Sequence, residues 1–414
     1  MSSLGELVRS GDKINYGVVQ PGPEVPGGIP MVRVADVVGG TLNREALKCI
    51  APDVEAAYSR SRLYGDEVLL ACVGSIGTVA LAHQDLAGCN IARAVARIRC
   101  GPKLERRFLQ WYLRTAGPQR YFLKETRTVA QPTLNIRQIE ALQIPVPSLN
   151  EQRHIADILD KADAVRRKRK EAIALTQELL RSAFLEMFGD PVTNPKGWPE
   201  QPFGTLVRET QLGLVRAATE QSPDKQYPYI RMNAIRADGQ LDLTTTTRVD
   251  ATPSELKVAR LMPGDFLFNT RNSEELVGKS AVFHDDGTYL FNNNIMRVRF
   301  TSGVRPDYVW AYFQSARGIR ELAARKSGTT SVFAVYYKSL TTLPVLVPPS
   351  AEQDRYAALC ERARHLRAAQ LRYADVSDAL CQSLMQRAFR GELNRGVVSK
   401  ATQLLMFSDA GIGG

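Results

Sequence analysis

Leu142-Gln143-Ile144-Pro145-Val146-Pro147, followed by Glu151-Gln152-Arg153, has a second version far down the chain. There Leu343-Pro344-Val345-Leu346-Val347-Pro348 is followed by Glu352-Gln353-Asp354. The offset is 201 residues, and it holds onward from Leu179 to Leu380, Ser182 to Ser383 and Phe188 to Phe389. Working backward, with small gaps, Pro30-Met31-Val32-Arg33-Val34 pairs with Pro228-Tyr229-Ile230-Arg231-Met232. Leu63-Tyr64-Gly65-Asp66 resembles Met262-Pro263-Gly264-Asp265. Arg97-Ile98-Arg99 pairs with Arg297-Val298-Arg299, and Phe108 and Tyr112 with Tyr308 and Tyr312. One order and nearly one offset along the chain mean an internal repeat. The chain reads as two copies of one unit, each a globular part followed by a helix.

The prolines at 145 and 147 forbid helix before them, and Ser148 or Asn150 can cap the start of a helix after them. Apolar residues then recur at helical spacing: Ile155, Ile158, Leu159, Ala162, Val165, Ile173, Leu179, Leu180, Ala183, Phe184 and Phe188. Gly189, with Pro191 beyond it, stops the helix. The second copy repeats the plan with Tyr356, Leu359, Ala363, Leu366, Tyr373, Val376, Leu380, Leu384 and Phe389, then Gly391. Each helix is expected to run about 38 residues, roughly 57 Å. A single stripe that long needs a partner along its length, and the other copy is the one expected.

The globular parts read as strand-rich. Pro21-Gly22-Pro23, Pro26-Gly27-Gly28 and Gly39-Gly40 mark turns, and short apolar runs such as Met31-Val32-Arg33-Val34 and Glu67-Val68-Leu69-Leu70 lie between them. Residues 106–125 have helical period. The fold class is α+β, with two tandem globular domains, each followed by a long helix. The expected boundaries are 1–148, a helix at 149–190, 191–349, a helix at 350–392 and a tail at 393–414.

Charge gives the first hint of function. Lys plus Arg is 54 against 43 for Asp plus Glu, a formal net of +11, and such a balance suits a polyanion partner. Arg166-Arg167-Lys168-Arg169-Lys170 wraps a full helix circumference, so it reads as a solvated face or as a contact for phosphate or an acidic partner. The six cysteines form no CxxC pair and the four histidines do not cluster. A metal site is therefore not expected, and reduced thiols suit a cytoplasmic location. No apolar run is long enough for a transmembrane helix, and the N-terminus lacks the pattern of a signal peptide.

No catalytic residues are expected. Asn194-Pro195-Lys196-Gly197 lacks the second proline and the aromatic of an amino-methyltransferase loop. There is no P-loop. Pro223-Asp224 with Glu255-Leu256-Lys257 imitates a nuclease metal site, but the first copy has no counterpart.

Ile144-Pro145-Val146-Pro147…Glu151-Gln152, the long helix, Met187-Phe188-Gly189-Asp190-Pro191 and Asn194-Pro195-Lys196-Gly197-Trp198-Pro199 resemble the specificity subunits of Type I restriction–modification systems. The resemblance covers about residues 12–392. It implies that each globular part reads one half of a bipartite, asymmetric double-stranded DNA target. Each globular part would be a target-recognition domain, and the helices would pair as an antiparallel coiled coil with pseudo-twofold symmetry, acting as spacer and docking site for two methyltransferase subunits, which restriction subunits could join. The chain itself would bind no cofactor. S-adenosylmethionine would sit on the methyltransferase, which methylates adenine, and ATP and Mg on a restriction subunit, which cuts. A methylation-only or other defence complex, or a self-contained nuclease, is the alternative. Two departures stand out. Glu352-Gln353-Asp354 reads as a degraded junction, and the tail from 394 has no counterpart.

Base-reading candidates are polar residues in loops that differ between copies. In the first copy they are Tyr16, Gln20, Lys124, Arg127, Thr128, Gln131 and Thr133. In the second they are Arg216, Arg271, Asn272, Lys326, Ser327, Thr329, Thr330 and Tyr336. Arg and the amides can grip base edges in bidentate fashion, while Lys, Ser and Thr suit phosphates.

Overall fold

In a computed structural model, the structure describes residues 1–38, 42–126, 132–328 and 332–392. The chain divides into two compact units. One comprises Met1–Lys170 with Leu371–Gly414, the other Glu171–Gln370. The first is therefore built from two separate stretches of chain.

Both units use one strand plan. In the first, a four-stranded antiparallel sheet runs in the order Asn15–Tyr16, Val95–Ile98, Val68–Ala71, Val79–Leu81. Lys48–Ile50, Ile29–Val32 and Asn90–Ile91 make a three-stranded sheet, mixed in direction. In the second unit the same places are taken by Val207–Leu212, Ile295–Phe300, Phe266–Asn269 and Ser280–Val282, then by Thr247–Val249, Tyr227–Ile230 and Leu290–Phe291. The central strands are apolar without alternation because both faces are covered. Val68 and Leu70 face the cluster that includes the long helices, and Leu69 faces the cluster beneath the smaller sheet. Phe266 and Phe268 against Leu267 repeat this.

The paired Arg-x-Arg motifs are charge anchors for these sheets. Arg97, almost fully buried, donates to Asp12 at 2.6 Å, and Arg99 grips Asp66 with contacts of 2.8 and 3.0 Å. Arg297 pairs with Glu209, and Arg299 holds Asp265 at 2.6 and 3.1 Å. A guanidinium this deep is tolerated only with such partners. The Gly-Asp turns therefore supply the carboxylates that fix the neighbouring strand.

The long helices run Leu149–Phe188 and Ser350–Phe389, 40 residues each. Ser148 caps the first, its Oγ accepting from Glu151 N at 3.3 Å, and Gly189 and Gly391 follow the ends at φ 79° and 74°. Within the first unit Ile155, Ala156, Leu159 and Ala162 share a core with Cys381, Leu384 and Ala388. Within the second, Phe184 and Phe188 share one with Tyr356 and Cys360. The start of one helix thus meets the end of the other, an antiparallel pairing.

Three expectations need correction. The start of each helix packs on its own globular part as well as on the other helix, through Phe108 and Trp111 in one core and Tyr308 and Phe313 in the other. The apolar stripe is not covered throughout: Leu179, Tyr373 and Val376 are exposed. Thr176 and Ser377 are buried near the middle instead, their hydroxyls donating one turn back to Ala172 O and Tyr373 O. Finally, the second junction is not degraded. Gln152, fully buried, accepts from Glu105 N at 2.8 Å and donates to Lys103 O and Pro147 O at 2.9 Å each. Gln353 is equally buried, accepts from Arg305 N at 2.9 Å and donates to Pro348 O at 2.8 Å. The glutamine is the part that both junctions share, and Asp354 serves separately as partner to Arg305.

Candidate nucleic-acid interface

In the second unit the strand Val207–Leu212 continues into Gly213, which passes against the carbonyl of Phe291. A Cβ on Gly213 would lie 2.0 Å from that oxygen, so only glycine fits. The first unit repeats the crossing at Gly17, where a Cβ would fall 1.6 Å from Ile91 O. In the second unit Gly213 lines an open surface beside the sheet.

In the second unit a small antiparallel sheet borders that surface. Phe333–Ala334 lies between Arg271–Asn272 and Ser327–Gly328. The fold therefore brings Arg271, Asn272 and Ser327 together, from positions more than 50 residues apart in sequence. Arg271 and Ser327 are exposed, Asn272 is half-buried, and Ser327 Oγ donates to Ala334 O at 3.3 Å. Lys326 Nζ donates to the carbonyl of Glu274, which ties the edge strand to the turn after Asn272. Tyr336 is exposed and, with Arg271, lines an open concavity of about 720 Å³. Gln211, Asn293 and Tyr337 line it too, and the reading of the sequence missed them. The repeat held a signal for Gln211, since it occupies the place of Asn15, next to Tyr16.

Arg216 sits nearby with a different commitment. Its guanidinium pairs with Glu255 at 2.7 Å and donates to Asp250 O at 3.2 Å. Glu255 also accepts from Thr252 N at 2.9 Å as part of a capping box on the helix Pro253–Ala259. The cap and Arg216 hold this carboxylate below its ordinary range. The carboxylate that imitated a nuclease motif is thus a helix cap, and Asp224 accepts from Ser222.

In the first unit the counterpart among the described residues is one bridge, Val73 with Thr133. Tyr16 is half-buried, and its hydroxyl donates to Leu134 O at 2.5 Å. Burial, and then Cys72, push this phenol up to about 12. Tyr16 and Thr133 are therefore neighbours. Gln20 is exposed in a loop, and Lys124 is exposed on the helix Ala116–Glu125. Arg127, Thr128, Gln131, Thr329 and Thr330 lie outside the described residues.

The basic run on the first long helix is partly used within its own unit. Arg166 and Arg167 pair with Asp163 at 2.7 and 3.3 Å, and Arg169 donates to Tyr373 O at 2.9 Å. Lys168 and Lys170 are exposed. Among the described residues, no group of three or more His, Cys, Asp or Glu is placed to hold a metal, and no helix is long and apolar enough to cross a membrane.

The duplicated strand plans and the shared glycine crossing define a tandemly repeated protein. Residues 2–175 match the family described as Type I restriction modification DNA specificity domain. It is similar to the Type I restriction enzyme EcoBI specificity subunit of Escherichia coli, 32% identical over 190 residues, which is 44% of this chain and 40% of that protein. It is also similar to the EcoKI specificity subunit of Escherichia coli strain K12, 27% identical over 278 residues, 61% of this chain and 58% of that protein. The matches thus span about half the length of these relatives. Among solved structures, the Type I restriction–modification S subunit from M. genitalium aligns over 94% of this chain and 95% of its own, at TM-score 0.57 and 12% identity. A chain from work on complex assembly and conformational transition of the type I R-M system aligns over 94% and 97%, at TM-score 0.52 and 20% identity. These two likenesses concern the fold.

Proposed function

We propose that this chain is the DNA-reading specificity subunit of a Type I restriction–modification complex and has no catalytic site of its own. One observation carries the reading. A fold whose first copy matches a DNA specificity domain is built twice, and the two copies carry different polar rims. Two different readers on one chain call for a split, asymmetric target. Bases are read by Arg and amide side chains at the rims, and phosphates are held by the basic excess. The chain directs two methyltransferase subunits, which carry S-adenosylmethionine and methylate adenine. Restriction subunits, with ATP and Mg, add cleavage where they are present.

The test is selection of methylated duplexes from a library with randomised bases and gap lengths, using the chain together with its methyltransferase partner. The expected product is two unlike half-sites at one gap. The isolated chain should methylate nothing. Deleting seven residues from each long helix removes about 10 Å, close to 3 bp. Seven residues keep the apolar stripe nearly in phase. The shortened chain should keep both half-sites and prefer a shorter gap. New half-site bases at an unchanged gap, or methylation by the chain alone, would overturn the reading.

A further inference from the structure

In the second unit, residues 236–240 form a loop closed at its base by the bridge Ile235 to Leu241. Lys279 Nζ holds that base by donating to Ile235 O at 2.7 Å. Asp238, at the tip, meets both long helices. Its Oδ2 accepts from Gln177 Nε2 of the first at 3.0 Å and lies 3.7 Å from Arg367 Nη2 of the second. Its Oδ1 accepts from Gln240 N at 3.1 Å, which fixes the carboxylate's direction. Gly239 then packs on Trp310, where a Cβ would come 2.3 Å from the indole nitrogen. The loop is thus pinned to the globular part on one side and to the helix pair on the other.

This contact lies apart from those at the other end of the unit's helix pair, where Gln353 and Asp354 meet Arg305 and Trp198 donates to Phe188 O. At that end the aromatic cluster of Phe184, Phe188, Tyr308 and Tyr356 packs with ring centroids 4.8 to 5.8 Å apart. Gln177 precedes Phe184 by two helical turns and Arg367 follows Tyr356 by three, distances of roughly 10 and 16 Å. Between the contacts the surfaces part. A cavity of about 320 Å³ has Leu180 and Phe184 on its helix side and Gln240 and Trp310 on its globular side. A smaller one of about 70 Å³ lies beside Arg367 and Gly239. With one anchor the globular part could pivot over these voids, and a second anchor fixes its angle.

We infer that Asp238 is a positioning residue: it sets the angle at which the second recognition domain is held on its helix pair, and so the gap accepted between half-sites. The inference rests on the function proposed above. Asp238 touches no base, and it acts through Gln177 and Arg367.

The experiment compares three full-length proteins, each with the methyltransferase partner, on the library of random bases and gaps. They are the wild type, Asp238→Ala, and the helix-side double variant Gln177→Ala/Arg367→Ala. Both variants should broaden the gap profile, raising use of neighbouring gap lengths about tenfold, the scale of one charge-assisted contact. Half-site bases should not change. Combining all three substitutions should broaden it no further, because one contact is removed only once. Loss of stability with a wild-type gap profile would show a merely structural residue and overturn the inference, and so would altered half-site bases. Hydrogen exchange in residues 236–240 tests the latch without DNA. Faster exchange in both variants is expected, and unchanged exchange overturns the latch. Failure of the wild type to select any split sequence would instead overturn the functional reading.

Discussion

Where the first unit holds Glu55, Ser61 and Asn90, the second holds Leu256 and Leu290. The positions correspond: a short helix that begins at Pro52 or Pro253, and the strand parallel to Ile29–Val32 or Tyr227–Ile230. In the first unit these side chains form a buried polar knot. Arg62 grips Glu55 at 2.6 and 2.8 Å, Asn90 donates to Glu55 at 3.1 Å, and Ser61 donates to Asn90 at 2.7 Å. In the second unit the same space belongs to a hydrocarbon cluster with Leu290 at its centre. One backbone plan accepts both. The polar solution depends on every member having its partner, while the apolar one depends on volume.

The largest effect tests whether the units share a plan at all. Gly17→Ala and Gly213→Ala should each destabilise their own unit by about 3 kcal/mol or more, since a carbonyl occupies the space of the new methyl group. Urea unfolding of the full chain would show it. If either alanine is accepted at less than about 1 kcal/mol, the equivalence of the two crossings fails.

A smaller effect separates the two solutions. Glu55→Ala removes the carboxylate that accepts from Arg62 and Asn90 and should cost about 2 kcal/mol, although Asn90 keeps its bond to Tyr58 O. Replacing the knot together, as Glu55→Leu/Ser61→Ala/Asn90→Leu, imports the second unit's chemistry and should return to within about 1 kcal/mol of wild type. A triple variant worse than Glu55→Ala would mean that the knot determines the fold locally.

The smallest effect is in pH. The hydrogen bonds from Arg62, opposed by burial and assisted by Asn90, hold the Glu55 carboxyl below its ordinary range. A carboxylate with a depressed value in the folded state stabilises fully above its unfolded value, near 4.3. That contribution disappears as pH falls through the lower folded value. The wild type should therefore lose stability relative to the triple variant only below about pH 4. A constant difference from pH 7 down to 3 would show that the charge of Glu55 contributes nothing. Arg62 is half-exposed, so solvent screening keeps this slope shallow.

Much of this fold could be read from the chain because its strongest signals are local and occur twice. Prolines before a cap and glycines after the stripe bounded both long helices within a few residues. Signals that depend on closure were not legible. Gln152 and Gln353 look like ordinary polar residues until Lys103 and Arg305 fold back over them. Asp66 and Asp265 read as turn residues, although their partners lie more than 30 positions away. At the candidate interface, exposed loop polarity pointed to Arg271 and Tyr336. It could not distinguish Arg216, which is committed to Glu255, or find Gln211 and Asn293, a strand residue and a turn residue that line the concavity beside the glycine crossing.

The divided composition of the first unit bears on how the chain is made. Its core needs Cys381, Leu384 and Ala388, which leave the ribosome some 200 residues after Lys170. At 5–20 residues per second, that wait is roughly 10 to 40 seconds. The second unit, continuous from Glu171 to Gln370, can close while it is being synthesised. The nascent chain therefore carries an unfinished apolar seam at Phe108, Ile155 and Leu159 for most of its synthesis, which makes this seam the natural target for chaperones. A premature stop between Gln370 and Cys381 would leave a finished second unit attached to an open first one.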